Sequence, residues 1–118
     1  MIKDSRKVLS DPGLRLDLAS RLDRETQGEV LFDAGSRGRY ATDASIYQII
    51  PLGVFIPRSE TDVSAAIGIA RELDVPVLAR GAGTSQCVQT VVQALVIDNS
   101  KYLTKIVDID AQRRIAVV

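Results

Sequence analysis

The chain has 118 residues, 46% hydrophobic and 25% charged, with 15 basic residues balancing 15 acidic ones. This is one domain or part of one, of ordinary soluble composition. It has no charge excess to favour nucleic acid or an anionic membrane, and no apolar run near the ~20 residues of a membrane span. Histidine is absent and Cys87 is the only cysteine, which removes an internal disulfide, any Ser-His-Asp or Cys-His arrangement and the commonest metal ligand. No metal site and no catalytic side chain is therefore assigned.

In chain order, the charged start Met1 to Lys7 lacks the apolar core of a signal peptide, so a cytoplasmic protein is expected. Residues 2–9 suit a short helix, broken by Ser10-Asp11-Pro12-Gly13. A second helix is expected from Pro12, capped by Asp11, with Leu14, Leu18 and Leu22 forming an apolar stripe and the flanking charges a solvated face. Val30-Leu31-Phe32 reads as a short strand. The stretch 34–40, with two glycines and two arginines, reads as a flexible basic loop in preference to a phosphate site. Residues 1–40 are taken as an N-terminal helical and loop extension, and 41–118 as the body of the domain.

Gly53 to Ile56 is expected as a core strand closed by Pro57. Ser59 caps the next helix, with Asp62 as a capping-box variant, and Val63, Ala66, Ile67, Ala70 and Leu73 fall on one face before Asp74 ends it. Val75–Ala79 and Ala94–Ile97 have the length and branched composition of strands buried on both faces. Together these segments predict an α/β (α+β) fold: a βαβ lobe with a small parallel sheet to which Ala94–Ile97 adds a third strand. Asp98-Asn99-Ser100 is a turn, Lys101–Leu103 one helical turn, and Ile106–Asp110 with Ile115–Val118 a C-terminal hairpin. An apolar edge at Val118 predicts a truncated chain that self-associates through that edge.

Between the two apolar strands lies Gly81-Ala82-Gly83-Thr84-Ser85-Gln86-Cys87. Gly81 and Gly83 permit φ > 0 and close approach to the backbone, and Thr84, Ser85 and Gln86 add polar groups beside the amides: the chemistry of an anion cradle. The alternative is a tight turn after a strand. No lysine follows the glycines, which excludes a Walker loop. Gln86 stands where a dinucleotide fingerprint needs its third glycine. Only seven residues, mostly poor helix formers, separate Gln86 from Ala94, so no Rossmann helix fits. Cys87 reads as a loop-packing residue before it reads as a reactive thiol.

Arg80-Gly81-Ala82-Gly83-Thr84-Ser85, Gln89-Thr90, Leu95-Val96-Ile97-Asp98 and Ser100-Lys101-Tyr102-Leu103, with Thr42 to Tyr47, Pro51 to Pro57 and Ser59 to Val63 upstream, resemble the signature of FAD-linked oxidases and dehydrogenases of the vanillyl-alcohol oxidase / p-cresol methylhydroxylase type. The glycolate oxidase and D-lactate dehydrogenase branch is the nearest in pattern. The resemblance implies the first lobe of a non-Rossmann FAD-binding domain whose parent enzyme oxidises a 2-hydroxy acid such as D-lactate or glycolate. It implies that the amides of Gly81, Ala82, Gly83, Thr84, Ser85 and Gln86 hold the FAD pyrophosphate, helped by the hydroxyls of Thr84 and Ser85, with Gln89 and Thr90 nearer the ribityl chain. Arg80 would either neutralise phosphate or pair with Asp98. Thr84 stands where some relatives carry a flavin-tethering histidine, so FAD is expected to be non-covalent at this loop. Val88 replaces a glycine of many relatives, and a β-branched residue does not readily take φ > 0. Asp43 to Tyr47 is expected as a connector in which Tyr47 packs. The fragment alone is expected to be inactive; the rival function is a non-catalytic phosphate- or nucleotide-binding module.

Overall fold

A computed structural model describes residues 9–118; the helix expected over 2–9 lies outside them except for Leu9, which packs at the edge of the core. Helix α1 spans Pro12–Glu25. The Asp11 carboxylate accepts from the Gly13 amide at 2.9 Å, and proline opens the helix. Leu18 and Leu22 are fully buried and Leu14 partly so, and the Thr26 amide and hydroxyl close the last turn on the Leu22 carbonyl.

Strand β1, Glu29–Leu31, runs antiparallel to β2, Gly53–Ile56. Between them, residues expected as a flexible basic loop form a short helix, α2, Ala34–Arg39. The cause is local: Asp33 caps it by accepting from the Ser36 amide at 2.8 Å, and Arg37 Nε donates to the Pro51 carbonyl at 2.9 Å, tying the helix to the entry of β2.

Helix α3, Glu60–Glu72, starts where Ser59 Oγ accepts from the Asp62 amide at 3.2 Å. Its buried face is Asp62, Ala66, Ile69 and Ala70; Ile67, expected inside, is 48% exposed. The Asp62 carboxylate does not close a capping box. It accepts from the amides of Gln27 and Arg58, both at 3.0 Å, which turns the first helical turn inward at Asp62 and brings Ile69 onto the sheet. Asp74, at φ 56°, ends the helix in the left-handed region.

Strands β3, Val77–Arg80, and β4, Leu95–Asp98, complete a four-stranded sheet in the order β1-β2-β4-β3, with β4 parallel to both β2 and β3. The crossover from β2 through α3 leaves a gap that β4 later fills. β4 is accordingly buried along its length, whereas β3, expected buried on both faces, is an edge strand that exposes Val77 and Ala79. One face of the sheet carries Phe55, Leu95 and Ile97 against Leu18, Leu22 and Ile69; the other carries Val54, Ile56 and Val96. Lys101–Leu103 makes a turn and no helix. The expected hairpin is present as β5, Asp108–Asp110, against β6, Ile115–Val117.

Candidate functional site

In the parallel part of the sheet, β2, β4 and β3 end side by side, so the loops after Ile56, Asp98 and Arg80 share one edge, where open parallel sheets bind ligands. The loop after β3 is irregular from Gly81 to Ala94, with no helix. Among the described residues, no backbone amide from Gly81 to Gln86 donates a hydrogen bond within the protein. Ser85 contributes its carbonyl instead, accepting from the Ala44 amide at 2.9 Å. A Cβ at Gly81 would meet nothing within 4 Å, so that side is open. A Cβ at Gly83 would lie 2.3 Å from Arg80 Nη2, and φ there is +69°; both conditions favour glycine.

The loop's side chains are partly engaged with one another. Ser85 Oγ donates to Gln89 Oε1, and Thr90 Oγ1 donates to Asp43 Oδ2 at 3.3 Å. The Asp43 carboxyl lies below the usual range, first because Ser45 hydrogen-bonds to it and further because Thr90 does. Ala82, Thr84 and Gln86 are exposed at the loop's surface. Arg80 does not meet Asp98. Its Nη1 donates to the carbonyls of Tyr40 and Thr90, each at 3.2 Å, and its Nη2 to the Thr42 carbonyl at 2.8 Å, with the Tyr40 ring 5.1 Å away. Asp98 is already satisfied by the Tyr40 hydroxyl at 2.5 Å and by the amide and hydroxyl of Ser100. The Tyr40 phenol is pushed up to about 12 by burial and then by the Asp98 carboxylate.

Two further expectations are corrected. Cys87 is exposed and does not pack inside the loop, because the Ser85 to Thr90 bend turns it outward. Tyr47 is 57% exposed beside a still more exposed Ile46, so it is no packing residue here. Val88 takes φ 67° and so adopts the conformation that a glycine would adopt freely. The residues missed in sequence are Tyr40 and Asp43, whose roles rest on partners 58 and 47 positions away, Asp98 and Thr90. The loops after β2 and β4 add a cavity of about 440 Å³ lined in part by Arg58, Asn99, Tyr102 and Lys105. Asn99 Oδ1 is buried with no hydrogen-bond partner among the described residues. Among those residues no helix is long and apolar enough to cross a membrane.

The donor set of the loop fits a diphosphate: successive unpartnered amides on an exposed bend, with a hydroxyl at Thr84 and no acidic side chain from Gly81 to Gln93. Residues 51–118 match the family described as FAD binding domain. The chain is 32% identical over 90 residues to D-2-hydroxyglutarate dehydrogenase of Pantoea ananatis, covering 74% of this chain and 9% of that protein. It is 32% identical over 98 residues to glycolate oxidase subunit GlcD of Bacillus subtilis, covering 80% and 21%. Among solved structures, 4-ethylphenol oxidase from Gulosibacter chungangensis superposes with a TM-score of 0.69 at 16% identity, over 86% of this chain and 21% of that one. An alkyldihydroxyacetonephosphate synthase gives 0.66 at 14% identity, over 91% and 23%. The chain thus spans about a tenth to a fifth of the length of these curated relatives.

Proposed function

The chain belongs to the FAD binding domain family, with the fold of vanillyl-alcohol oxidase / p-cresol methylhydroxylase-type flavoproteins, and on that premise we propose that it is the first lobe of the FAD-binding domain of an enzyme that oxidises a 2-hydroxy acid. When bound, FAD supplies the acceptor for the hydride leaving such a substrate. The residues of this lobe hold and orient that cofactor. The amides of Gly81 to Gln86 donate to its diphosphate and the Thr84 hydroxyl adds a further bond. Ser85 joins them by turning its proton from Gln89, and Gln89 and Thr90 lie toward the ribityl chain. Thr84 cannot form the covalent link that a histidine would, so the cofactor is held non-covalently at this loop. The names of the relatives, a D-2-hydroxyglutarate dehydrogenase and a glycolate oxidase subunit, support the substrate class.

Residues 1–40 are an extension whose α1 and β1 complete the core and sheet on which the lobe, 41–118, is built. No proton-abstracting or substrate-orienting role is assigned to any residue of this lobe, and on this reading the lobe by itself turns over no substrate. The observation carrying this reading is the run of unpartnered amides after Arg80. Fluorescence titration tests it: FAD binds, ADP competes, and riboflavin, which lacks the diphosphate, binds at least about tenfold more weakly, as loss of charge-assisted hydrogen bonds requires. Equal affinity for riboflavin and FAD would remove the loop from the site, and a lobe that binds neither FAD nor ADP would overturn the reading.

A further inference from the structure

We propose that Arg80 is a positioning residue of the cofactor loop: its guanidinium ties both ends of the loop to the 40–42 backbone and leaves the amides of Gly81 to Gln86 facing outward, without itself contacting the diphosphate. The inference rests on the reading of that loop as the FAD diphosphate site. A guanidinium is a rigid, planar fork of N–H donors, suited to acceptors lying in several fixed directions. Here Nη1 bridges the carbonyls of Tyr40, before the domain proper, and Thr90, at the far end of the loop, while Nη2 reaches the Thr42 carbonyl. Arg80 itself stands at the loop's near end, as the last residue of β3.

Its surroundings leave little room for an anion. A side-chain carbon at Gly83 would lie 2.3 Å from Nη2 and 2.8 Å from Nε, so the loop backbone rests directly against the guanidinium. The Tyr40 ring is 5.1 Å from it, and that ring is anchored through its hydroxyl to Asp98 at the end of the central strand. The clamp is therefore referenced to the sheet. Two bonds run parallel to it between the same segments: Ala44 N–H to the Ser85 carbonyl, and Thr90 Oγ1 to Asp43. Remote residues 40–44 and the near and far halves of the loop are thereby held as one unit. The glycine at position 83 is explained by what it accommodates, a cation beneath the loop.

Arg80→Lys and Arg80→Met separate positioning from direct phosphate contact. Lysine keeps the charge but, as a point donor, cannot span the carbonyls of Tyr40, Thr42 and Thr90. In the unliganded protein, amide exchange at Ala44 and Ile49, whose N–H groups donate to Ser85 and Ala41, should rise about tenfold or more in both variants. Val96 and Ile97 in β4 should stay within about twofold of the parent protein. For FAD, both variants should lose about tenfold in affinity. Parent-like exchange at Ala44 and Ile49 in Arg80→Lys would overturn the clamp, as would loss of β4 protection in both variants, since a loop clamp leaves the central strand intact. Parent-like FAD affinity in Arg80→Lys, whether or not Arg80→Met loses it, would overturn the positioning role, because charge or nothing would then be what the cofactor requires. A parent protein that binds no FAD sinks the proposed function, and the exchange arm still decides whether Arg80 holds the loop.

Discussion

Val88 sits at φ 67° in the second half of the loop, where a branched Cβ crowds its own backbone. The chain tolerates this because its neighbours are held on both sides: Ser85 is bonded to Gln89 and Ala44, and Thr90 to Arg80 and Asp43. Val88→Gly should therefore stabilise the protein by ~0.5–1 kcal/mol in urea unfolding, the left-handed cost removed exceeding the chain entropy glycine adds. Destabilisation by that substitution would mean the residue does not occupy the left-handed region. Gly83 shows the same conformation at a position where glycine was recognisable in sequence. Val88 shows it where the residue type argued against it, because long-range bonds around the loop outweigh a local preference.

Helix α3 illustrates how one polar residue reorients an element. Its apolar positions permit two neighbouring faces, and the periodicity alone favoured the one containing Ile67. The buried Asp62 carboxylate selects the other, since its oxygens satisfy the amides of Gln27 and Arg58 and join the end of the α1 region, the exit of β2 and the start of α3. Asp62→Ala would leave both amides without an acceptor at a partly buried site. A loss of ~2–4 kcal/mol is expected in chemical denaturation, at about 1–3 kcal/mol per orphaned group less whatever water recovers. Asp62→Asn, which keeps oxygen acceptor capacity on one side only, should fall between. A loss below about 0.5 kcal/mol for Asp62→Ala would show that the junction carries no weight. Helix α2 has a similar origin: two glycines and two arginines masked it in the sequence, and it is supported by the Asp33 cap and by the bond from Arg37 to Pro51, which crosses 14 positions.

At the scale of the molecule, the hairpin β5–β6 leaves Ile109, Ile115, Val117 and Val118 exposed at 64%, 52%, 48% and 89%. Such an apolar edge favours pairing with another copy of the chain. Light scattering should therefore show a mass that rises with concentration, and Val117→Lys should restore a monomer; a parent protein monomeric at high concentration would refute edge pairing. The order β1-β2-β4-β3 also explains why β3 is exposed: β4, the last parallel strand in sequence, takes the centre and leaves β3 at the edge that carries the glycine loop. By itself the sequence determined the sheet strands, the starts and N-caps of α1 and α3, the C-terminal hairpin and the absence of a helix between Gln86 and Ala94. Each of these is a matter of local spacing, turn residues or the length of chain available. Only the tertiary structure decided which strand is central, which face of α3 is buried and where Arg80 spends its donors. Those outcomes depend on partners such as Gln27, Tyr40 and Thr42, up to 40 positions distant, which local pattern does not encode.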